Sequence, residues 1–391
     1  MNLSKKIINS LTTIAMLALM LTLLASCSKE EEQTATDGHT VVLFFPWTDN
    51  LYTALLENIA DIKEAMAAHP SNTRVLLILA TSSNSGRMSE LACNNGTCSE
   101  TVLKTYTSWS FTQKDNIRSM FNDAAAYVNA SSYSMIIGAH GSGWLPKQSY
   151  PNKHKAFGGT STATKINIET LDSAIVESGL RHLEYLCFDD CYMANIETAY
   201  RLRNATDHLI ASTSEIMAHG MPYSDVWTYL SSATPDYQGI VSGFYNFYSS
   251  YRMPYGALSV TDCTQLDLAA SAMKQLNMLM TQYGLQPSDF SPQMLDGFTY
   301  NVFFDMKSYT DLVCEALQAK GVDTSTLAIN TLYSSIITAH CCTPCLYSDY
   351  STATNKTFAV SSNCGITISD PSVNNEVTPY MESTAWYEAT H

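Results

Sequence analysis

Apolar positions in this chain fall into two alternating patterns. Short unbroken runs, such as Val41–Phe45, Val75–Ala80 and Met135–Ile137, alternate with longer stretches in which apolar residues recur every three or four positions. The first pattern predicts strands covered on both faces, and the second predicts helices with one buried stripe. Strands are expected at Thr40–Phe45, Arg74–Ala80, Ser134–Gly138, Leu183–Phe188, His208–Ser212 and Gly256–Val260. Helices are expected from about Leu51 to Ala68 (Leu55, Ile59, Ile62, Met66), over Lys114–Val128 (Ile117, Phe121, Ala125), over Asn167–Gly179 (Ile168, Leu171, Ile175, Val176), over Ala194–Arg203 and over Thr264–Tyr283. Residues 84–101 are polar and read as a loop. Strands alternating with helices imply an α/β fold: a three-layer α/β/α sandwich with a mainly parallel sheet over residues 40–290. Beyond residue 290 the pattern loosens to Tyr300–Asp305, a helix at Tyr309–Ala319 and Cys364–Ser369, which reads as a smaller C-terminal subdomain over 291–391.

Two of these strands end in residues that can do chemistry. The run from Ser134 leads into His140-Gly-Ser-Gly-Trp144, and the run from Leu183 leads into Asp189-Asp190-Cys191-Tyr-Met-Ala-Asn-Ile-Glu197. The helix between them makes a strand–helix–strand unit, whose right-handed crossover lays the strands in parallel. Ligand crevices in such sheets lie beyond the carboxyl ends of the strands, where His140 and Cys191 fall. A histidine and a thiol are thereby brought to one rim. A thiol attacks a carbonyl only as thiolate, and free cysteine is mostly protonated at neutral pH, so a neighbouring imidazole is needed. Cys191 is the candidate nucleophile and His140 the candidate general acid for the departing amine. The predicted helix after Cys191 would favour a negative sulfur at its amino end. Gly141 lets its N–H approach a scissile carbonyl, and with the Cys191 N–H it is the candidate oxyanion hole. A lone His-Gly after a strand is usually a turn, and a lone cysteine is usually a small core residue, as Cys187 is expected to be. Their joint placement at adjacent strand ends favours the catalytic reading.

The first 26 residues form an address. Lys5 and Lys6 precede an apolar run from Ile14 to Leu24, too short to span a membrane stably. Leu24-Ala25-Ser26-Cys27 matches a bacterial lipobox, which implies cleavage before Cys27 and its acylation, anchoring the protein to outer-membrane lipid. The acidic stretch after Cys27 resembles the signal that sends lipoproteins of Bacteroidetes-type bacteria to the cell surface. Residues 27–39 are polar and read as a disordered linker. Losing the leader moves the formal charge from −15 to −17, which argues against nucleic-acid binding. Of 11 cysteines, nine remain once Cys27 and Cys191 are set aside. Cys93 and Cys98 suit a short disulfide loop in an exported protein. His340-Cys341-Cys342-Thr-Pro-Cys345 lacks the paired arms of a structural zinc site, so no metal is expected there.

In this order, His140-Gly-Ser-Gly-Trp144 and Asp189-x-Cys191-x-Met193-x-x-x-Glu197 resemble the clostripain family of cysteine peptidases, relatives of caspases and gingipains. Trp47-Thr-Asp-Asn-Leu51, Ile210-Ala-Ser-Thr-Ser-Glu215, Gly365-Ile-Thr-Ile-Ser369 and Trp386 fit the same pattern. The resemblance implies a caspase–haemoglobinase-like fold and hydrolysis of peptide or protein substrates by a Cys–His dyad without an obligatory third member. It also implies preference for Arg or Lys before the cleaved bond, through Asp189. The family's acidic and Pro-Gly residues after the fifth strand are here Glu215-Ile-Met-Ala-His-Gly220; this departure leaves Glu215 as a substrate-binding candidate. Self-cleavage in the loop after the histidine would fall at Lys155, with Lys153 second. Calcium dependence occurs in the family, but no Asp-rich loop specifies a site, so no cofactor is expected. The protein is expected to act as a monomer. The alternative reading is a surface binding protein that keeps the peptidase fold without turnover.

Overall fold

Alternate residues of the central strands point into two different cores, as a sheet covered on both faces requires. In the computed structural model, which describes residues 36–145 and 157–391, Val42, Phe44, Leu76 and Ile78 join one buried cluster, and Val41, Leu43, Phe45, Val75, Leu77 and Leu79 join another. The strands of the main sheet are β1 (Thr36–Phe45), β2 (Arg74–Ser82), β3 (Ser85–Asn94), β4 (Thr97–Thr107), β5 (Ala130–Gly138), β9 (Leu183–Asp189), β10 (Thr206–Ala211), β11 (Ala257–Asp262) and β13 (Ile337–Cys342). The intervening short strands are β6 (His140–Gly141), β7 (Phe157–Gly158), β8 (Lys165–Ile166) and β12 (Phe304–Asp305). The main sheet runs β13-β11-β10-β9-β5-β1-β2-β3-β4. Its middle, from β10 to β2, is parallel, and both flanks are antiparallel. The first core is covered by helices that include Lys114–Tyr127, Ile168–Val176, Ile196–Leu202 and Leu266–Gln282. The second is covered by Tyr52–Ala68, Tyr223–Leu230 and Tyr237–Ser250. The three-layer α/β/α arrangement expected from the sequence is therefore present.

Two local expectations are corrected. Residues 84–101 are not a loop but belong to the β3–β4 hairpin, turning at Asn95 and Gly96, both with positive φ (51° and 75°). Asn-Gly is a strong hairpin signal. It was obscured because this hairpin is held partly by charge: Glu100 takes Arg87 Nε at 2.7 Å and Lys63 Nζ at 3.1 Å. The Cys93–Cys98 disulfide, as expected, joins two residues paired across the hairpin. The first strand begins at Thr36 rather than Thr40, with His39 buried and its Nδ1 2.8 Å from Ser132 Oγ. From Thr36 to His391 the chain forms one compact unit. β13 is an edge strand of the main sheet, and the fully buried Trp386 packs edge-on to Tyr200. The leader, Cys27, and the candidate cleavage residues Lys153 and Lys155 lie outside the described residues.

The helix after β9 starts at Ile196, capped by Asn195, whose side chain accepts from the Thr198 N–H at 2.7 Å. Its Glu197 is fully buried; Oε1 accepts the Ser369 N–H at 2.8 Å, and Asp370 lies buried nearby. Burial, with each other's charge acting on Glu197, pushes Glu197 up to about 8, and burial pushes Asp370 up to about 7. A carboxyl whose pKa is raised on folding stabilises the fold fully below its unfolded pKa, and that contribution fades as pH rises through the folded value. Stability from this pair should therefore decline between about pH 5 and pH 8. Glu197→Gln is expected to flatten that decline, read as a urea midpoint at several pH values; an unchanged slope would show that the pair is not its source.

Candidate active site

β5 and β9 are neighbours, in parallel, with Gly138 paired to Asp189 at their carboxyl ends. From there the chain passes through Ala139 into β6, carrying His140 and Gly141, and through Asp190 to Cys191. The two exits are tied together, because the Ala139 N–H donates to Asp190 Oδ1 at 2.6 Å. Asp190 is thereby committed to bridging the two exits. Gly141 lies against the other exit: a Cβ there would sit 2.3 Å from the Cys191 carbonyl oxygen and 2.9 Å from its nitrogen. Only a residue without a side chain permits this approach.

His140, Gly141, Asp189, Cys191 and Glu215 line one cavity of about 220 Å³. Imidazole and thiol thus share a single cleft at one edge of the sheet. Cys191 is half-buried; the Ile216 N–H donates to its sulfur at 3.4 Å and the thiol faces the Ile216 carbonyl oxygen at 3.7 Å. Burial pushes the thiol well above its ordinary range, the Glu215 carboxylate adds to this, and the Ile216 N–H opposes it. The expected help from a helix amino end is absent, since Cys191 precedes Ile196 by a turn in which Tyr192 adopts a φ of 60°. Left-handed backbone at a large side chain is costly and persists where the surroundings fix it. Here the Tyr192 ring stacks on Phe303 at 5.2 Å and its hydroxyl donates to Glu215 at 2.8 Å. In its resting form this nucleophile candidate is a thiol that needs a base.

His140 Nε2 lies 2.8 Å from Asn50 Oδ1, a partner to which the sequence assigned no role. The available signal was Trp47-Thr-Asp-Asn-Leu51, the turn that follows β1.

Asp189 is buried and lines the cavity. Its carboxylate accepts from the Met221 N–H (2.8 Å), the Tyr223 hydroxyl (3.0 Å) and Asn58 Nδ2 (3.2 Å). Burial raises its pKa to about 6, against the opposing pull of the Met221 and Tyr223 donors. Among the described residues no lysine, arginine or histidine forms an ion pair with it. Gly220, at φ 74°, closes over it: a Cβ would stand 2.6 Å from Asp189 Oδ2. Asn58 and Tyr223 were invisible to motif reading because they come from helices distant in sequence, and Gly220, the last residue of the Glu215–Gly220 segment, had been given no role.

Glu215 lines the cavity, yet its carboxylate is already engaged. It accepts from the Tyr192 hydroxyl, from Ser348 Oγ at 2.7 Å and from the Asp349 N–H at 3.0 and 3.1 Å. These bonds dock the turn that brings Tyr350 to the cleft wall.

The model of the clostripain family (Peptidase_C11) matches residues 45–390. A secreted C11 cysteine protease from Bacteroides thetaiotaomicron, "iotapain", is 37% identical, covering 90% of this chain and 99% of its own, with a TM-score of 0.81. A clostripain from the same species, in complex with the peptide inhibitor BTN-VLTK-AOMK, is 39% identical over 60% of this chain and 99% of its own, with a TM-score of 0.51. An inactive zymogen C11 protease from Parabacteroides distasonis shares the fold at 22% identity, covering 91% of this chain and 99% of its own, with a TM-score of 0.75. No curated protein matches the chain.

Proposed function

The chain belongs to the clostripain family of cysteine proteases, and from that premise we propose that it is an endopeptidase in which Cys191 and His140 form the dyad and Asp189 selects Arg or Lys before the cleaved bond. One observation carries the reading: a histidine, a thiol and a buried carboxylate with no basic partner among the described residues line the same small cleft. Cys191 Sγ attacks the peptide carbonyl as His140 takes up the thiol proton. The negative oxygen is held by the Gly141 and Cys191 N–H groups, and His140 returns the proton to the leaving nitrogen. Water then hydrolyses the thioester, with His140 as base.

A carboxylate desolvated without a counter-ion is costly, and a substrate guanidinium or ammonium removes that cost. The inhibitor VLTK, bound by the Bacteroides clostripain, ends in lysine. Glu215 serves substrate binding indirectly, by holding the turn at Ser348 and Asp349 against the cleft. Self-activation by cleavage after Lys155, or secondarily Lys153, and display on the outer membrane through acylated Cys27 complete the proposal; the "iotapain" relative is a secreted protein.

The test is a panel of fluorogenic peptides differing only in the residue before the bond, with iodoacetamide labelling of Cys191 in parallel. Cleavage after Arg and Lys, far above Ala, Leu or Asp, is expected. A folded protein that cleaves none of them and leaves Cys191 unlabelled would instead be the binding protein.

A further inference from the structure

We infer that Asn50 is a positioning residue for His140, fixing which ring nitrogen carries the working proton; the inference rests on the dyad reading. The carboxamide oxygen of Asn50 can only accept, so at 2.8 Å it holds a proton on His140 Nε2. With Nε2 so held, the task of taking the Cys191 proton and returning it to the leaving nitrogen is assigned by this inference to Nδ1. Once both nitrogens are protonated, the same oxygen still accepts from Nε2, so the hydrogen bond survives the whole cycle and stabilises the imidazolium beside a thiolate.

The turn bearing Asn50 is held from two sides. Asp49, its neighbour, accepts from the Thr160 hydroxyl at 3.1 Å, so that carboxylate is engaged away from the ring. The Trp47 carbonyl packs on Gly159, where a Cβ would come within 2.8 Å of it. Thr160 and Gly159 directly follow β7, whose Gly158 pairs with His140 itself. The turn after β1 and the strand carrying His140 are therefore cross-braced, and Asn50 reaches the ring from a fixed base. Leu51 and Ala54, next along the chain, line the cleft, so the brace belongs to the cleft wall.

The experiment compares the full chain with Asn50→Ala, Asn50→Asp and His140→Ala on an Arg-containing fluorogenic peptide over a range of pH. Asn50→Ala is expected to lower kcat by about 10- to 100-fold, part of the 10²–10⁴ that positioned acid–base catalysis supplies, with KM changed less than about twofold. Asn50→Asp is expected to recover most of kcat and to move the alkaline limb of the profile up by about one pH unit, because a carboxylate favours the protonated ring. Nitrogen-15 spectra of the neutral ring are expected to show the proton on Nε2 in the parent chain. Wild-type kcat and limbs in Asn50→Ala would overturn the inference. So would equal loss in both Asn50 variants with no movement of either limb, or a neutral ring protonated on Nδ1. Activity in His140→Ala would remove the dyad and this inference together, whereas an inactive His140→Ala with an unaffected Asn50→Ala would remove the inference alone.

Discussion

Cys191→Ala is expected to lower kcat for an Arg-containing peptide by about 10⁴ or more while the folded protein still binds that peptide. Removing a nucleophile costs the whole covalent route, and what remains comes only from binding and the oxyanion donors. Cys191→Ser should fare nearly as badly. Burial and the Glu215 carboxylate already push the thiol up, and a hydroxyl, intrinsically a weaker acid, is further from ionising in the same place. His140→Ala should cost nearly as much, and the double variant little more than either, since groups that act as one unit are not additive. The measurement is single-turnover cleavage together with calorimetric binding of an uncleavable basic peptide. A Cys191→Ala protein retaining even one-hundredth of the rate would move the chemistry to another group.

The thiol's environment sharpens this result. Beyond burial, Glu215, Asp190 and Asp189 all oppose its ionisation, and the Ile216 N–H favours it. A thiol left to itself in such a site alkylates slowly at neutral pH. Labelling by iodoacetamide should therefore depend on His140, falling in His140→Ala to the slow rate of a buried cysteine.

The sequence made the layered core legible because β1, β2, β5 and β9 are unbroken apolar runs, and parallel strands covered on both faces can be little else. It made the two exits legible because His140 and Cys191 each follow such a run, and a right-handed crossover leaves one arrangement. The aromatic helix Tyr237–Ser250 went unread although Ile240, Val241, Phe244 and Tyr248 are buried at helical spacing; its glycines and tyrosines blur the stripe. β13 went unread because only Ala339 of Ile337–Cys342 is fully buried at that edge of the sheet. In the site, single residues with intrinsic chemistry were found. Their supports were not: Asn50, Asn58, Tyr223 and the Ser348–Asp349 turn are assembled by tertiary packing, which no local pattern encodes. Glu215 illustrates the difference, being in the expected cleft but with its carboxylate spent on the scaffold.

Asp189→Asn is expected to lower kcat/KM for Arg and Lys peptides by about 10²–10⁴, corresponding to the roughly 3–5 kcal/mol lost when one member of a buried charge pair is removed. The effect should be selective. A peptide with an uncharged straight-chain residue at the same position should change by less than about tenfold, so the ratio of the two reports the charge interaction rather than general damage. The pH dependence gives an independent check. Asp189 in the free enzyme has a pKa raised to about 6, so it is ionised above that value and increasingly neutral below it. Preference for basic over uncharged peptides should therefore be full near pH 7–8 and fade as pH falls through 6, a limb that Asp189→Asn should lack. A bound cation favours the ionised carboxylate, so binding near pH 6 should also release protons, measurable as a buffer-dependent heat. If the selectivity limb persists unchanged in Asp189→Asn, the basic side chain is recognised elsewhere, and the buried carboxylate beneath Gly220 serves only to hold Met221, Tyr223 and Asn58 in place.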